Sequence, residues 1–348
     1  MNKLLLEAAK GNKTNKIPLW LMRQAGRYLP EYREFRKKHD TLNMFKTPSI
    51  AAEITLQPLK RFNLHGAIIY ADILLIPDAM GMGLSFVEKE GPRYAKTIRS
   101  NDDLKSILPA AENIGELIQK LSYVGETVER VKSQLSQNTT LLGFAGAPFT
   151  VASYMIEGGS AKGEFFECKK LMFNDPETFH HLMKLLTDVT IAYLKMQIKA
   201  GVEAIQLFES WSGALAPDQY REFCLPYTKK IVEEVKQFVP VINFLGQGAS
   251  LSDEALSIQS NVYSVDWRQD LAKVAKKFTG SGIALQGNLD PLLLYAPKDL
   301  LKEKLKNCLE IGSQYTHGYI FNLGHGCTQH TPVENVEFLV NFINDFNL

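Results

Sequence analysis

The segment Met22–His39, MRQAGRYLPEYREFRKKH, places Arg23 and Arg27 just beyond the apolar run PLWLM, with only Gln24, Ala25 and Gly26 between them. A guanidinium fork binds carboxylate or phosphate through two parallel hydrogen bonds, so two arginines on one pocket point to a ligand with several acidic groups. An arginine ending a buried strand must find an anion, which singles out Arg23. The charges from Arg33 to Lys38 read as a solvated helical face with three-residue spacings such as Glu31–Glu34–Lys37. Asp72 lies in AIIYADILLIPDAMGMG, flanked by apolar residues on both sides. A carboxylate there is costly unless donors or a cation meet it, so Asp72 reads as functional, whereas Asp78 after Pro77 reads as a turn or cap residue.

Two further stretches carry chemistry. In GFAGAPFTVASYMIEGG, Gly143, Gly146, Ala147 and Pro148 would let a ligand approach the backbone, and the helix start near Thr150 would favour an anion. Tyr154, one turn later, can aim its hydroxyl at the same pocket. His325 stands between Gly324 and Gly326 in NLGHGC, a constrained loop that exposes the imidazole. His325 and Cys327 alone could open a zinc site, but Cys168, Cys224 and Cys308 have no metal-like spacing, so no metal is expected.

These residues need elements to gather them. Eight short, nearly continuous apolar runs have the character of strands buried on both faces: 18–23, 67–72, 141–148, 202–209, 240–246, 261–267, 283–290 and 319–326. Helical stretches with Pro at the front and Gly at the back lie between them, as in Asp175-Pro176 to Gly201. Eight strand–helix units imply an α/β fold, a single (β/α)8 TIM barrel over residues 1–348, with an elaborated loop between the second and third strands holding a hairpin and two helices. An open doubly wound sheet is the alternative, but with no GxGxxG after the first strand and no acidic residue placed for a ribose its dinucleotide-binding version loses its main support. The last residues of the runs are unusually polar: Arg23 and Gln24, Asp72, Thr150, Glu209 and Ser210, Gln247, Asp266, Asn288 and Asp290, and His325. In a barrel those strand ends form the rim where active sites sit.

Composition narrows the partners. Lys+Arg 39 against Asp+Glu 38 gives a net charge of +1, with no global field for nucleic acid or an anionic membrane. Hydrophobic residues at 45% and charged residues at 22% belong to an ordinary globular protein. Four scattered Cys without a CxxC pair fit a reduced compartment, and a three-Leu run before Glu7 is far short of a signal segment, so a cytoplasmic location is expected.

The chain resembles the uroporphyrinogen decarboxylase family at MRQAGRYLPEYRE, YADILLIPDAMGMG, GFAGAPFT with YMIEGG, FESWSG, QGNLDP, and LGHGC with TPVENV, from about residue 18 to residue 338. The resemblance implies a cofactor-free lyase that removes carbon dioxide from the four acetate side chains of uroporphyrinogen III, giving coproporphyrinogen III. It implies that Asp72 accepts hydrogen bonds from the pyrrole N–H groups, that Arg23 and Arg27 engage substrate carboxylates, and that Gln24, Tyr154, Phe208, Ser210 and His325 are pocket residues. A homodimer follows from the resemblance, not from composition. The carbanion left by decarboxylation needs an electron sink, which a protonated pyrrole would supply in place of a separate cofactor. A negative Asp72 would stabilise that cation. Arg23 would hold the departing carboxylate or deliver a proton, although an arginine is a reluctant acid. A corrinoid-linked methyltransferase on a related barrel would need a zinc site, and a tetrapyrrole carrier would need only the arginines; Asp72 beside Arg23 favours the enzyme.

Overall fold

The computed structural model describes residues 3–87, 90–161 and 163–347. Seven of its strands form one parallel sheet: β1 (Gly66–Ile68), β4 (Thr140–Gly146), β5 (Ala204–Glu209), β6 (Val241–Leu245), β7 (Val262–Ser264), β8 (Ala284–Gln286) and β9 (Tyr319–Ile320) lie in that order, sequence neighbours paired side by side. The register runs Ala67↔Leu141, Leu142↔Ala204, Ile205↔Val241, Ile242↔Val262, Val262↔Ala284 and Leu285↔Tyr319. Every residue of β4 and β6 is buried, which is why these segments read as unbroken apolar runs.

The sheet curls, and successive side chains go to different cores. Leu142, Ala204, Ile242, Phe244, Val262, Ala284 and Ile320 join Trp20, Met22 and the N-terminal helix Leu4–Ala9 in an inner cluster. Their neighbours Leu141, Ile205, Val241, Leu245 and Leu285 pack in the larger cluster that includes the helices. Within the inner layer the indole N–H of Trp20 donates to Gln286 Oε1 at 2.8 Å, and Gln286 Nε2 reaches Gln206 Oε1 (3.1 Å) and Ser264 Oγ (2.9 Å). This fully buried network satisfies polar groups that would each cost stability if left unpaired.

The first expected run, 18–23, is not a strand of its own. Leu19 makes a parallel bridge to Phe321, whose N–H donates to Pro18 O at 2.8 Å, and Leu19 O accepts from the His65 N–H at 2.9 Å. Its ladder ends there because Arg23 takes a positive φ of 60° and turns the chain. Between β1 and β4 the chain forms a short helix (Leu75–Ala79), an antiparallel hairpin of β2 (Leu84–Val87) with β3 (Gly91–Tyr94), and helices Asn101–Glu112, Ile114–Lys120 and Ser122–Lys132, so the two helices read from sequence are three. The hairpin docks onto helix Pro148–Glu157: the Tyr94 N–H donates to Gly158 O (3.0 Å) and the Ile98 N–H to Met155 O (3.1 Å). Helix Pro176–Ala200 begins and ends as its punctuation predicts, with Asp175 accepting from the Thr178 N–H and Gly201 at φ 120°.

Candidate active site

A cavity of about 1060 Å³ opens at the C-terminal ends of β1, β4, β5 and β6, at the upper end of the size range of small-molecule sites. Arg23, Arg27, Asp72, Tyr154, Phe208, Ser210 and His325, all expected at the site, line it. Both arginines are exposed to it. The path of Arg23 depends on Gly326, because a Cβ at residue 326 would collide with the Cγ and Cδ of Arg23. One flank of His325 therefore clears the way for another site residue.

Asp72 follows β1 and is half-buried, its exposure facing the cavity. Burial pushes its carboxyl up to about 6, against the opposing pull of the Leu74 N–H, 2.9 Å from Oδ1, and the Arg23 charge. The group is ionised at neutral pH but under-solvated, so it gains from any donor that a ligand brings. Burial and the Arg23 charge bring the His325 imidazole down to about 4, which keeps it neutral. Burial raises the Tyr154 phenol, so it too stays neutral.

The floor is aromatic. Phe144 and Phe208 meet edge to face at 5.8 Å between ring centres, Phe208 and Phe244 at 6.2 Å, and Phe244 and His325 at 6.3 Å. Phe144 is fixed by Gln197 of helix Pro176–Ala200, whose side-chain amide accepts from the Phe144 N–H (3.0 Å) and donates to its carbonyl (2.9 Å). Gly143 leaves room for that Gln197 side chain, and Gly146 for Ile73 and Val151. These glycines serve packing and not the ligand approach that their small size suggested.

Gln24, expected among the substrate contacts, does not line the cavity. It is fully buried, with Oε1 accepting from the Leu21 N–H (3.1 Å) and Nε2 donating to Gly66 O (3.1 Å). Several polar strand-end residues likewise turn away. Asp266 is fully buried and accepts from the Gln247 and Arg268 N–H groups (both 2.9 Å) and from the Arg268 guanidinium (3.1 Å). Asn288 donates to the carbonyls of Asp266 and Gln269, and Asp290 accepts from the Leu292 N–H. Thr150 offers no anion site, since Glu209 already occupies that helix start. Asp78 behaves as expected, accepting from the Leu84 N–H (2.9 Å) and pairing with Lys46.

The solvated-face reading holds for Glu34 with Lys37 (2.7 Å) but misses Arg36, which lines the cavity. Its signal was the four-residue spacing from Tyr32, another lining residue on the same helix face. Tyr70 and Phe45 extend this wall; the Tyr32 and Tyr70 hydroxyls are 2.8 Å apart, and the Phe45 and Tyr70 ring centres 4.8 Å. Among the described residues, no three His, Cys, Asp or Glu side chains gather as a metal-binding group.

Arginines at the rim, one under-solvated carboxylate and an aromatic floor, set on the ends of parallel strands, define an α/β protein with a large pocket that is cationic at its rim and apolar at its floor. Solved structures share the fold. A methyltransferase from Methanosarcina mazei matches with a TM-score of 0.81 at 20% identity over 98% of this chain and 97% of its own, and a B12-independent methionine synthase from Shewanella sp. W3-18-1 with 0.53 at 8% over 96% of each. Sequence goes further. Residues 1–346 match the family described as Uroporphyrinogen decarboxylase (URO-D). Proteins named uroporphyrinogen decarboxylase from Carboxydothermus hydrogenoformans and Thermodesulfovibrio yellowstonii are 40% and 42% identical, over 100% and 99% of this chain and 97% and 98% of their own lengths. The chain belongs to the uroporphyrinogen decarboxylase family.

Proposed function

We propose that the protein decarboxylates the four acetate side chains of uroporphyrinogen III to give coproporphyrinogen III in porphyrin biosynthesis. The observation that carries this reading is the ionised, under-solvated Asp72 in a large arginine-rimmed cavity, within a chain that matches the family from end to end. Each step breaks the bond between the acetate methylene and its carboxylate, releases carbon dioxide and takes up one proton, leaving a methyl group.

Asp72 accepts the pyrrole N–H groups that its surroundings fail to supply. It also stabilises the positive charge on the protonated pyrrole that receives the electron pair, a preorganised interaction that contributes several kcal/mol. Arg23 and Arg27 bind substrate carboxylates, with Arg23 nearest the reacting group, and Phe208 packs under the macrocycle. Tyr154, Ser210 and neutral His325 supply hydrogen bonds around it.

Three coarser features belong to the same reading. Leu19, which bonds His65 on one side while its neighbours Pro18 and Trp20 bond Phe321 on the other, takes the eighth stave position and closes a single (β/α)8 barrel. The homodimer that the resemblance implies belongs here, and the exposed Leu292 and Tyr295, at 59% and 45%, offer apolar surface for one; sedimentation of the purified chain tests it. No helix among the described residues is long and apolar enough to cross a membrane, and all four cysteines are free, consistent with a cytoplasmic enzyme.

Anaerobic incubation with uroporphyrinogen III, followed by oxidation and chromatography, tests the reaction. Successive hepta-, hexa-, penta- and tetracarboxylate products are expected. Unchanged substrate with well-folded protein rejects the assignment and directs attention to methyl transfer.

A further inference from the structure

Glu209 is the last residue of β5, set between Phe208 and Ser210, which both line the cavity, yet its own side chain is fully buried and turned to the start of helix Pro148–Glu157. Its Oε1 is hydrogen-bonded to Thr150 Oγ1, while Oε2 has no partner. Thr150 Oγ1 also accepts the Trp211 N–H at 3.3 Å, so Glu209, Thr150 and Trp211 tie the end of β5 to the helix. Two cavity residues hang on this tie. Ser210 sits between Glu209 and Trp211 in the chain, and Tyr154 lies one turn after Thr150 with its ring 6.1 Å from that of Trp211.

The surroundings favour a neutral carboxyl. The titratable groups facing Glu209 are Cys168 of helix Phe166–Asn174, Tyr220 of helix Pro217–Phe223 and Cys224 after it; burial raises all three, followed by the Glu209 charge for Tyr220 and Cys224, while Cys168 feels Glu157 more than Glu209. No lysine or arginine acts on it. Burial pushes its carboxyl up to about 8, outweighing the Thr150 hydroxyl and the backbone N–H groups of Phe149 and Thr150. The Tyr220 hydroxyl nearby is also buried without a partner, so those three donors, with no cation beside them, replace only part of the lost hydration of an anion.

We propose that Glu209 is a positioning residue that acts in its protonated form, holding Thr150 and through it Trp211 so that Ser210 and Tyr154 face the substrate together. The proposal rests on the decarboxylase reading for its kinetic arm. Ionisation strengthens the Thr150 contact but puts a charge without a countercharge in the dry layer behind the site, and relief of that charge shifts the helix start and lowers turnover as pH rises through the Glu209 titration.

The test compares wild type, Glu209→Ala and Glu209→Gln in anaerobic decarboxylation across neutral to alkaline pH, with infrared spectra of each protein. Glu209→Ala is expected to lose about tenfold in kcat at neutral pH with a smaller change in KM. Glu209→Gln, which cannot ionise, is expected to recover most of that loss and to lack the alkaline decline of the wild type. The wild type should show a protonated-carboxyl infrared band at neutral pH that is absent from Glu209→Gln. A Glu209→Gln variant as impaired as Glu209→Ala, or one that keeps the wild-type alkaline decline, overturns the proposal. So does the absence of a Glu209-dependent band. If the variants do not fold, the wild-type band is titrated against Asp72→Asn, which removes the other carboxyl raised among the described residues, and absence of a remaining band that vanishes at alkaline pH overturns the proposal. A wild-type protein without turnover refutes the functional reading and leaves the infrared result standing by itself.

Discussion

Asp72 shows what a single residue sacrifices for the role proposed for it. Its carboxyl sits at about 6, above the unfolded value of about 3.9, so between those values the native state holds a proton that the unfolded chain has released. Stability therefore falls as pH climbs through that window and stays lower above it. Asp72→Asn is expected to raise the unfolding free energy by on the order of 2 kcal/mol at about pH 8, a gain that shrinks toward about pH 4. Urea denaturation at both pH values checks this, and an Asn variant less stable than wild type at the higher pH would show that the native carboxylate is already well compensated. Gly326 carries the complementary lesson, because it bears no functional group and yet decides where Arg23 lies. Gly326→Ala is expected to lower kcat/KM by about 10- to 100-fold by displacing that guanidinium. Steady-state kinetics beside circular dichroism separates this from unfolding, and unchanged kinetics would mean that Arg23 tolerates the added methyl.

At the scale of elements, Gln24 belongs to the wall and not the pocket: its amide links the Arg23 turn to the backbone of β1. Gln24→Ala leaves the Leu21 N–H and Gly66 carbonyl without these partners and is expected to cost about 1–3 kcal/mol of stability, while kcat of the folded fraction stays near wild type. A loss of kcat without a loss of stability would return Gln24 to the substrate. The positions of the strands were legible because a parallel sheet covered on both faces needs continuous apolar runs, and 140–146 and 241–245 meet that need residue by residue. The first run was less so, since Leu19 bridges a single residue before Arg23 turns the chain. The strand ends were over-read, because a polar residue there can face the cavity, as Asp72 does, or a loop, as Asp266 does. Composition and spacing do not separate these orientations. Arg36 was hidden for the opposite reason, lying on a helix whose Lys37 side is a solvated charged face.

For the whole molecule, a net charge of +1 provides no global field, so in the proposed reading attraction for the polyanionic substrate rests on the local arginines. Salt is therefore expected to act mainly on binding: KM for uroporphyrinogen should rise severalfold as ionic strength goes from about 0.05 to about 0.5 M, with kcat nearly constant. A KM indifferent to salt would remove the arginines from recognition. The cavity, the rim charges and the family match converge on one reaction, and the mechanism proposed for it depends on a carboxylate at position 72. Its most direct test is anaerobic turnover of uroporphyrinogen III by Asp72→Asn beside the wild type, with folding of both verified. The account predicts stepwise decarboxylation by the wild type and a rate at least about 100-fold lower in the variant, in keeping with loss of several kcal/mol of transition-state stabilisation. Turnover by Asp72→Asn at the wild-type rate would contradict it.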